Sequence, residues 1–155
     1  MEGYKGYNFE QLLAAIPDYS EDGANITRTI WMDGSVLDID QKLKVFIRDF
    51  KGKSKYNVEL LMKRQQLCFA RKQLLPIPMS HRCFLLPVKV RKPIGASDGA
   101  YGYVALDGID KVEHGSQTII HLKNCGQPIV VRDNYTKLMQ QVTIVRSIRE
   151  QFFDV

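Results

Sequence analysis

The stretch YGYVALDGIDKVEHGSQTIIHLKNCGQPIVVRDNYTKLMQQVTIVRSIR, residues 101–149, decides the fold class. Tyr101 to Val112 reads as strand, broken at Asp107-Gly108 by a turn dipeptide. Gln117 to Leu122 (QTIIHL) predicts a second strand, Asn124-Cys125-Gly126 its turn and Gln127 to Val131 (QPIVV) its return, so a β-meander results. Asp133 or Asn134 then offers a side-chain oxygen to the first N–H groups of a helix running through Ile148. Its row Leu138, Val142, Val145, Arg149 is broken by Gln140, Gln141 and Arg146. Strands closed by a helix predict an α+β protein.

Working back from this segment, PIGASDGAYG (93–102) is a loop, and HRCFLLPVKVRKP (81–93) reads as a strand that Pro87 restricts to an edge or a bulge. Pro76 and Pro78 stop a helix predicted from Asn57 to Leu75, with Asn57 as cap and Glu59 in its first turn. At 100° per residue its Arg64 and Arg71 fall about 20° apart, flanked by Lys63 and Lys72. Its apolar residues are spread around the cylinder, as in an element wedged between two packed layers. FKGKSKY (50–56) is a turn in which Lys51, Lys53 and Lys55 alternate with Gly52 and Ser54, a pattern suited to a loop laid along phosphates. The GKS triplet is not a nucleotide phosphate loop, because Ile47 stands where the first glycine is required. Lys42 to Phe50 fits a strand or a short helix.

At the N-terminus, Phe9, Leu12, Leu13 and Ile16 have the i, i+3, i+4, i+7 spacing of one helical face, with Asn8 as cap and Pro17 as stop. The segment ITRTIWMDGSVLDID (26–40) then alternates around Asp33-Gly34, a hairpin signal, with Trp31 expected in the core. The expected architecture is therefore antiparallel hairpins and a meander with an N-terminal helix, a central basic helix and a C-terminal helix. At 155 residues and 45% hydrophobic content the chain is read as one domain: 1–41 helix and hairpin, 42–92 basic segment, 101–150 meander plus helix.

Charge is distributed unevenly over these segments. Residues 42–92 hold 14 basic and 2 acidic side chains, a net of +12, while the remaining residues hold 8 basic and 15 acidic, a net of −7. Such a one-signed segment is tolerated most readily when a polyanion compensates its self-repulsion, and nucleic acid is the first candidate. The alternative is a solvated basic face that keeps the protein soluble. The residues expected to meet DNA are Lys51, Lys53, Ser54 and Lys55 of the turn and Lys63, Arg64, Arg71 and Lys72 of the helix. Arg82, Lys89, Arg91 and Lys92 follow on the strand and loop, with Arg91 carried away from the body on a loop that can reach into a DNA groove or along phosphates.

No window reaches the roughly 18 to 20 apolar residues of a membrane span, and no secretory signal opens the chain, so a cytoplasmic protein is expected. Cys68, Cys83 and Cys125 fit no CxxC pattern and are read as reduced core thiols. No metal, cofactor or catalytic set is expected, and the chain is not read as an enzyme.

The order FLLP (Phe84 to Pro87), Arg91 and Pro93, an aromatic at Tyr103, the Asn124/Gly126 turn, and a helix carrying Gln140 and Gln141 resembles the bacterial competence transcription factor (ComK) family. Phe50, Gly52, Ser54 and Tyr56 are similar to that family's F-x-G-x-S-Y stretch. The similarity spans roughly residues 45 to 150. It implies a cytoplasmic, nucleoid-associated activator of DNA-uptake operons that binds A/T-rich double-stranded boxes through the minor groove as a homodimer or larger assembly. An adaptor and Clp protease are further partners it implies, although the C-terminal tail of longer members is absent here. Two other classes stay open: a different DNA-binding regulator, LytTR-like, and a module whose basic face meets an acidic protein or a membrane surface.

Overall fold

The computed structural model describes residues 8–69, 75–91 and 99–153, which form an α+β protein with two antiparallel sheets. Strands β1 (Leu12–Tyr19), β2 (Asn25–Trp31), β3 (Val36–Ile39), β4 (Ile77–Pro78), β5 (Phe84–Lys89) and β6 (Tyr101–Ala105) make a six-stranded sheet in the order β3-β2-β1-β6-β5-β4. Strands β7 (Ile109–Glu113), β8 (Thr118–Leu122) and β9 (Ile129–Val131) make the three-stranded meander. Three helices, α1 (Leu43–Lys51), α2 (Val58–Phe69) and α3 (Tyr135–Phe152), complete the described residues. The larger sheet draws strands from the N-terminal segment, the basic segment and the start of the last third.

Each face of that sheet carries its own core. On one, Leu12, Ala15, Trp31 and Leu85 pack under Phe46, Ile47 and Phe50 of α1. On the other, Leu13, Ala14, Phe84 and Leu86 pack against the meander and against Leu138, Val142 and Val145 of α3. Strand β5 is buried on both faces, which is why Phe84 to Val88 is an almost unbroken apolar run. Helix α2 bridges the two cores, with Val58 in the first and Leu61 in the second. That bears out the wedged element, although Leu60 is exposed. The expected helix extends to Leu75; residues 70–74 lie outside the description, and Leu75 itself is not helical.

The helix expected from Phe9 to Ile16 is a strand instead. Asn8 does cap a turn, accepting from the Glu10 N–H at 3.0 Å, but the turn ends at Gln11 and β1 begins. Leu12 and Ala15 face the α1 core and Leu13 and Ala14 the α3 core, because a bulge between Leu12 and Ala14 offsets the two-residue alternation. A strand buried on both sides with a bulge imitates the spacing of a helical face. Pro17 pairs with Thr27 on β2, while β1 meets β6 only at Ala14 and Ala15. Pro87 is accommodated in a similar way: β5 is an inner strand by order, yet β4 covers only Phe84 and Leu85.

Other expectations hold. The Asp33-Gly34 hairpin forms, with Gly34 at φ +89° and its N–H donating to Trp31 O. Trp31 is fully buried, its indole N–H donating to Thr29 Oγ1 at 2.8 Å, and Thr29 in turn donates to Leu37 O on β3. Asn124 supplies the left-handed residue of the β8–β9 turn at φ 56°, and Asn134 caps α3 by accepting from Thr136 and Lys137 N–H. The row Leu138, Val142, Val145, Arg149 is the buried stripe of α3. Of the cysteines, Cys83 is a core thiol and Cys125 is not: it sits half-buried in the turn, accepting from the Gln127 N–H at 3.4 Å. The Cys68 side chain lies outside the description.

Candidate nucleic-acid interface

Leu43, Phe46, Ile47 and Phe50 recur at i, i+3, i+4, i+7, so Lys42 to Phe50 resolves as a helix whose apolar stripe lies on the sheet. The same period places Lys44, Arg48 and Lys51 together on another face. The buried stripe of α1 is aromatic: Phe46 stacks on Phe50 at 5.3 Å, and Phe9 meets Phe50 edge-on at 6.3 Å.

Three adjoining clefts run past this helix. The first, about 410 Å³, lies between the start of α1 and the β5–β6 junction and is lined by Lys42, Lys44, Arg91, Tyr101 and Tyr103. The second, about 850 Å³, shares Lys44 and Tyr103 with the first and continues along Arg48 and Lys51 to Tyr56 and the start of α2. The third, about 440 Å³, shares Tyr56 and adds Lys53, Lys55 and Arg82. Eight lysine and arginine side chains thus line one connected belt, whose lining carboxylates are Glu10 and Glu59.

Gly102 lets β6 pack closely on β1. A Cβ there would stand 2.9 Å from Ile16 Cδ1 and 3.0 Å from Ala15 O, so only glycine lets β6 lie this close to β1 between Tyr101 and Tyr103. Those two tyrosines, two residues apart on a strand, project on the α1 side. Burial raises the Tyr103 phenol above its usual range and keeps it neutral.

The residues expected from sequence fall into several groups. Lys53, Lys55 and Arg82 are exposed on the belt. Lys51 lies on it too, but is ion-paired with Glu59 at 3.0 Å. Ser54 lines the second cleft, yet its hydroxyl donates to Met79 O at 2.6 Å and accepts from the Tyr56 N–H, a structural use of a group expected to meet phosphate. Gly52 has ordinary right-handed geometry at φ −65°, so the turn does not need glycine's freedom.

Lys63, Arg64 and Lys89 are exposed but line none of the three clefts. Arg71, Lys72 and Lys92 lie outside the described residues. Arg91, expected to be carried away from the body, is held against it: Nε donates to Gly99 O at 2.7 Å, Nη2 to Asn25 Oδ1 at 3.2 Å, and the guanidinium lies 4.3 Å from the Tyr19 ring centre. Sequence reasoning missed Lys42, Lys44 and Arg48, although the stripe on α1 would have found them once that segment was read as helix.

Elsewhere the charges serve the fold. Arg149, nearly buried, donates to Asp107 and to Glu150, and Arg28 bridges Asp18 and Asp38 at 2.6 and 2.9 Å. His121 faces Glu113 at 3.2 Å, His81 faces Glu150 at 3.2 Å and His114 stacks on Tyr135. Among the described residues no helix is long and apolar enough to cross a membrane. Comparison with family models, curated proteins and solved structures found no match for this chain.

Proposed function

We propose that this protein is a DNA-binding transcription activator of the competence type that acts by binding rather than by catalysis. In this reading it works in the cytoplasm, at the nucleoid, as a homodimer or larger assembly. Its target is double-stranded, A/T-rich DNA entered through the minor groove. The observation that carries the DNA reading is the belt: eight basic side chains on three connected clefts, drawn from α1, the following turn, the β4–β5 connection and the end of β5. A polyanion of regular charge spacing can neutralise such a row one phosphate at a time. The finer assignment to competence regulation rests on the ordered likeness to that family. Several of the residues carrying it, Phe50, Phe84, Leu86 and Pro87, are buried and act through the fold.

Binding to duplex DNA should weaken steeply with salt. With on the order of five phosphates neutralised, log K falls against log salt with a slope of about −4.5. Selection from random duplexes should enrich paired A/T-rich boxes. Enrichment of a mixed-sequence site would transfer the protein to another class of DNA-binding regulator. Absence of duplex binding at low salt, with retention on anionic vesicles or an acidic protein, would replace DNA with that partner.

A further inference from the structure

Among the described residues Arg91 is oriented by neutral groups alone. The Gly99 carbonyl, the Asn25 amide oxygen and the Tyr19 ring fix its plane, Nη1 is buried without a hydrogen-bond partner, and no carboxylate pairs with it among the described residues. Neutral partners orient a guanidinium but leave its charge uncompensated, and a partly buried charge in that state favours an anion. The cleft it lines contains two more cations, Lys42 and Lys44, and no acidic residue among the described ones. Both lysines are exposed and neither forms an ion pair among the described residues, so neither is committed to the fold. At about 410 Å³ the cleft is within the range that encloses a small ligand. Tyr101 and Tyr103 give it two aromatic side chains on the same side of β6.

We infer that this cleft is a seat for one nucleotide unit: its phosphate meets Arg91, Lys42 and Lys44, and its base lies against the tyrosines. A free mononucleotide and a unit of a nucleic-acid chain share that chemistry. The inference rests on the proposed DNA reading only in that the seat lies on the same belt.

The test is an NMR titration of the intact ¹⁵N-labelled protein, following the Arg91 Nε–H signal, which is assigned by its disappearance in Arg91→Lys. Inorganic phosphate, deoxyadenosine monophosphate and a short A/T-rich duplex are added separately. The expected result is a saturable shift of this signal with the mononucleotide, at lower concentration than with inorganic phosphate. The exposed double variant Lys42→Ala/Lys44→Ala should weaken it about tenfold through loss of two charge-assisted contacts.

A shift with the duplex alone also supports the seat and assigns it to chain phosphates. Equal potency of phosphate and mononucleotide overturns the base-binding role of the tyrosines. A signal unmoved by all three ligands overturns the seat. If the duplex nevertheless binds, the belt survives that failure. If the mononucleotide shifts Arg91 but the duplex does not bind, the DNA reading fails while the seat stands.

Discussion

The two faces of the six-stranded sheet differ in where their unpaired cations gather. On the side covered by α3 and the meander, Arg149 is only 10% exposed and its guanidinium meets Asp107 and Glu150, while His121 faces Glu113. On the α1 side, Arg48 and Lys51 pair with Asp49 and Glu59, but Lys42, Lys44, Arg82 and Arg91 have no carboxylate partner among the described residues, and Phe46 and Phe50 of α1 pack with Trp31 of the sheet. A charge that the fold needs arrives with its counter-ion. What sets the α1 side apart is that its unpaired cations gather on connected clefts, where something outside the fold can meet several at once.

Several substitutions would break or sharpen that contrast. The largest effect should come from the aromatic cluster: Trp31→Ala removes a fully buried indole and leaves the Thr29 hydroxyl without its donor, for a loss of about 3 to 5 kcal/mol in chemical denaturation. A loss below about 1 kcal/mol would separate α1 from the sheet core. Next is Arg149→Ala, which removes a nearly buried side chain from the α3 core together with its bond to Asp107 and should cost about 1 to 3 kcal/mol. Arg149→Lys should recover part of that, because one of the two carboxylates can still be met.

Alkaline pH should act on the α1 side, where burial raises both the Cys83 thiol and the Tyr103 phenol. In the unfolded chain the thiol releases its proton near its ordinary value of 9.0 and the phenol near 10.0, while the folded protein retains both. The thiol's contribution is therefore complete below pH 9.0 and falls as pH rises beyond it, by up to about 1.4 kcal/mol per pH unit, and the phenol adds a decline of the same sign above pH 10.0. Urea midpoints measured from pH 8 to 11 should decline in the parent and less steeply in Cys83→Ala. Identical slopes would remove the thiol from the account. The smallest change should follow Lys42→Ala or Lys44→Ala, each within about 0.5 kcal/mol of the parent. A loss as large as that of Arg149→Ala would make these lysines part of the fold and erase the difference between the faces.

The α3 side was also the more legible in sequence. Its strands have one buried face and end in turn residues with a specific task, such as Asn124 at positive φ, and α3 carries a visible cap and stripe. The α1 side hid its plan for three physical reasons. Strand β1 is buried on both faces and carries a bulge, so Leu12, Leu13 and Ile16 imitated a helix. Helix α1 is short, with Val45 interrupting the impression of a stripe, and without a helix the alignment of Lys44 with Arg48 and Lys51 has no meaning. Arg91 read as an extended arm because Tyr19 and Asn25, which hold it, lie 66 or more residues earlier in the chain. The basic bias of residues 42–92 was visible at once. Its division into belt residues, ion-paired Lys51 and the structural Ser54 required the fold.

The most direct test of the central claim compares two charge-neutralised proteins on the same A/T-rich duplex. One carries Lys42→Ala, Lys44→Ala, Lys55→Ala and Arg82→Ala on the belt; the other carries Lys111→Ala, Lys123→Ala, Lys137→Ala and Arg146→Ala on the meander and α3, so both lose the same formal charge. The account predicts that the belt variant loses on the order of a hundredfold in affinity at moderate salt, with a salt slope flattened by about three units, while the other stays within about threefold of the parent. Equal losses in both proteins would contradict it, reducing the belt to one part of a uniform basic charge.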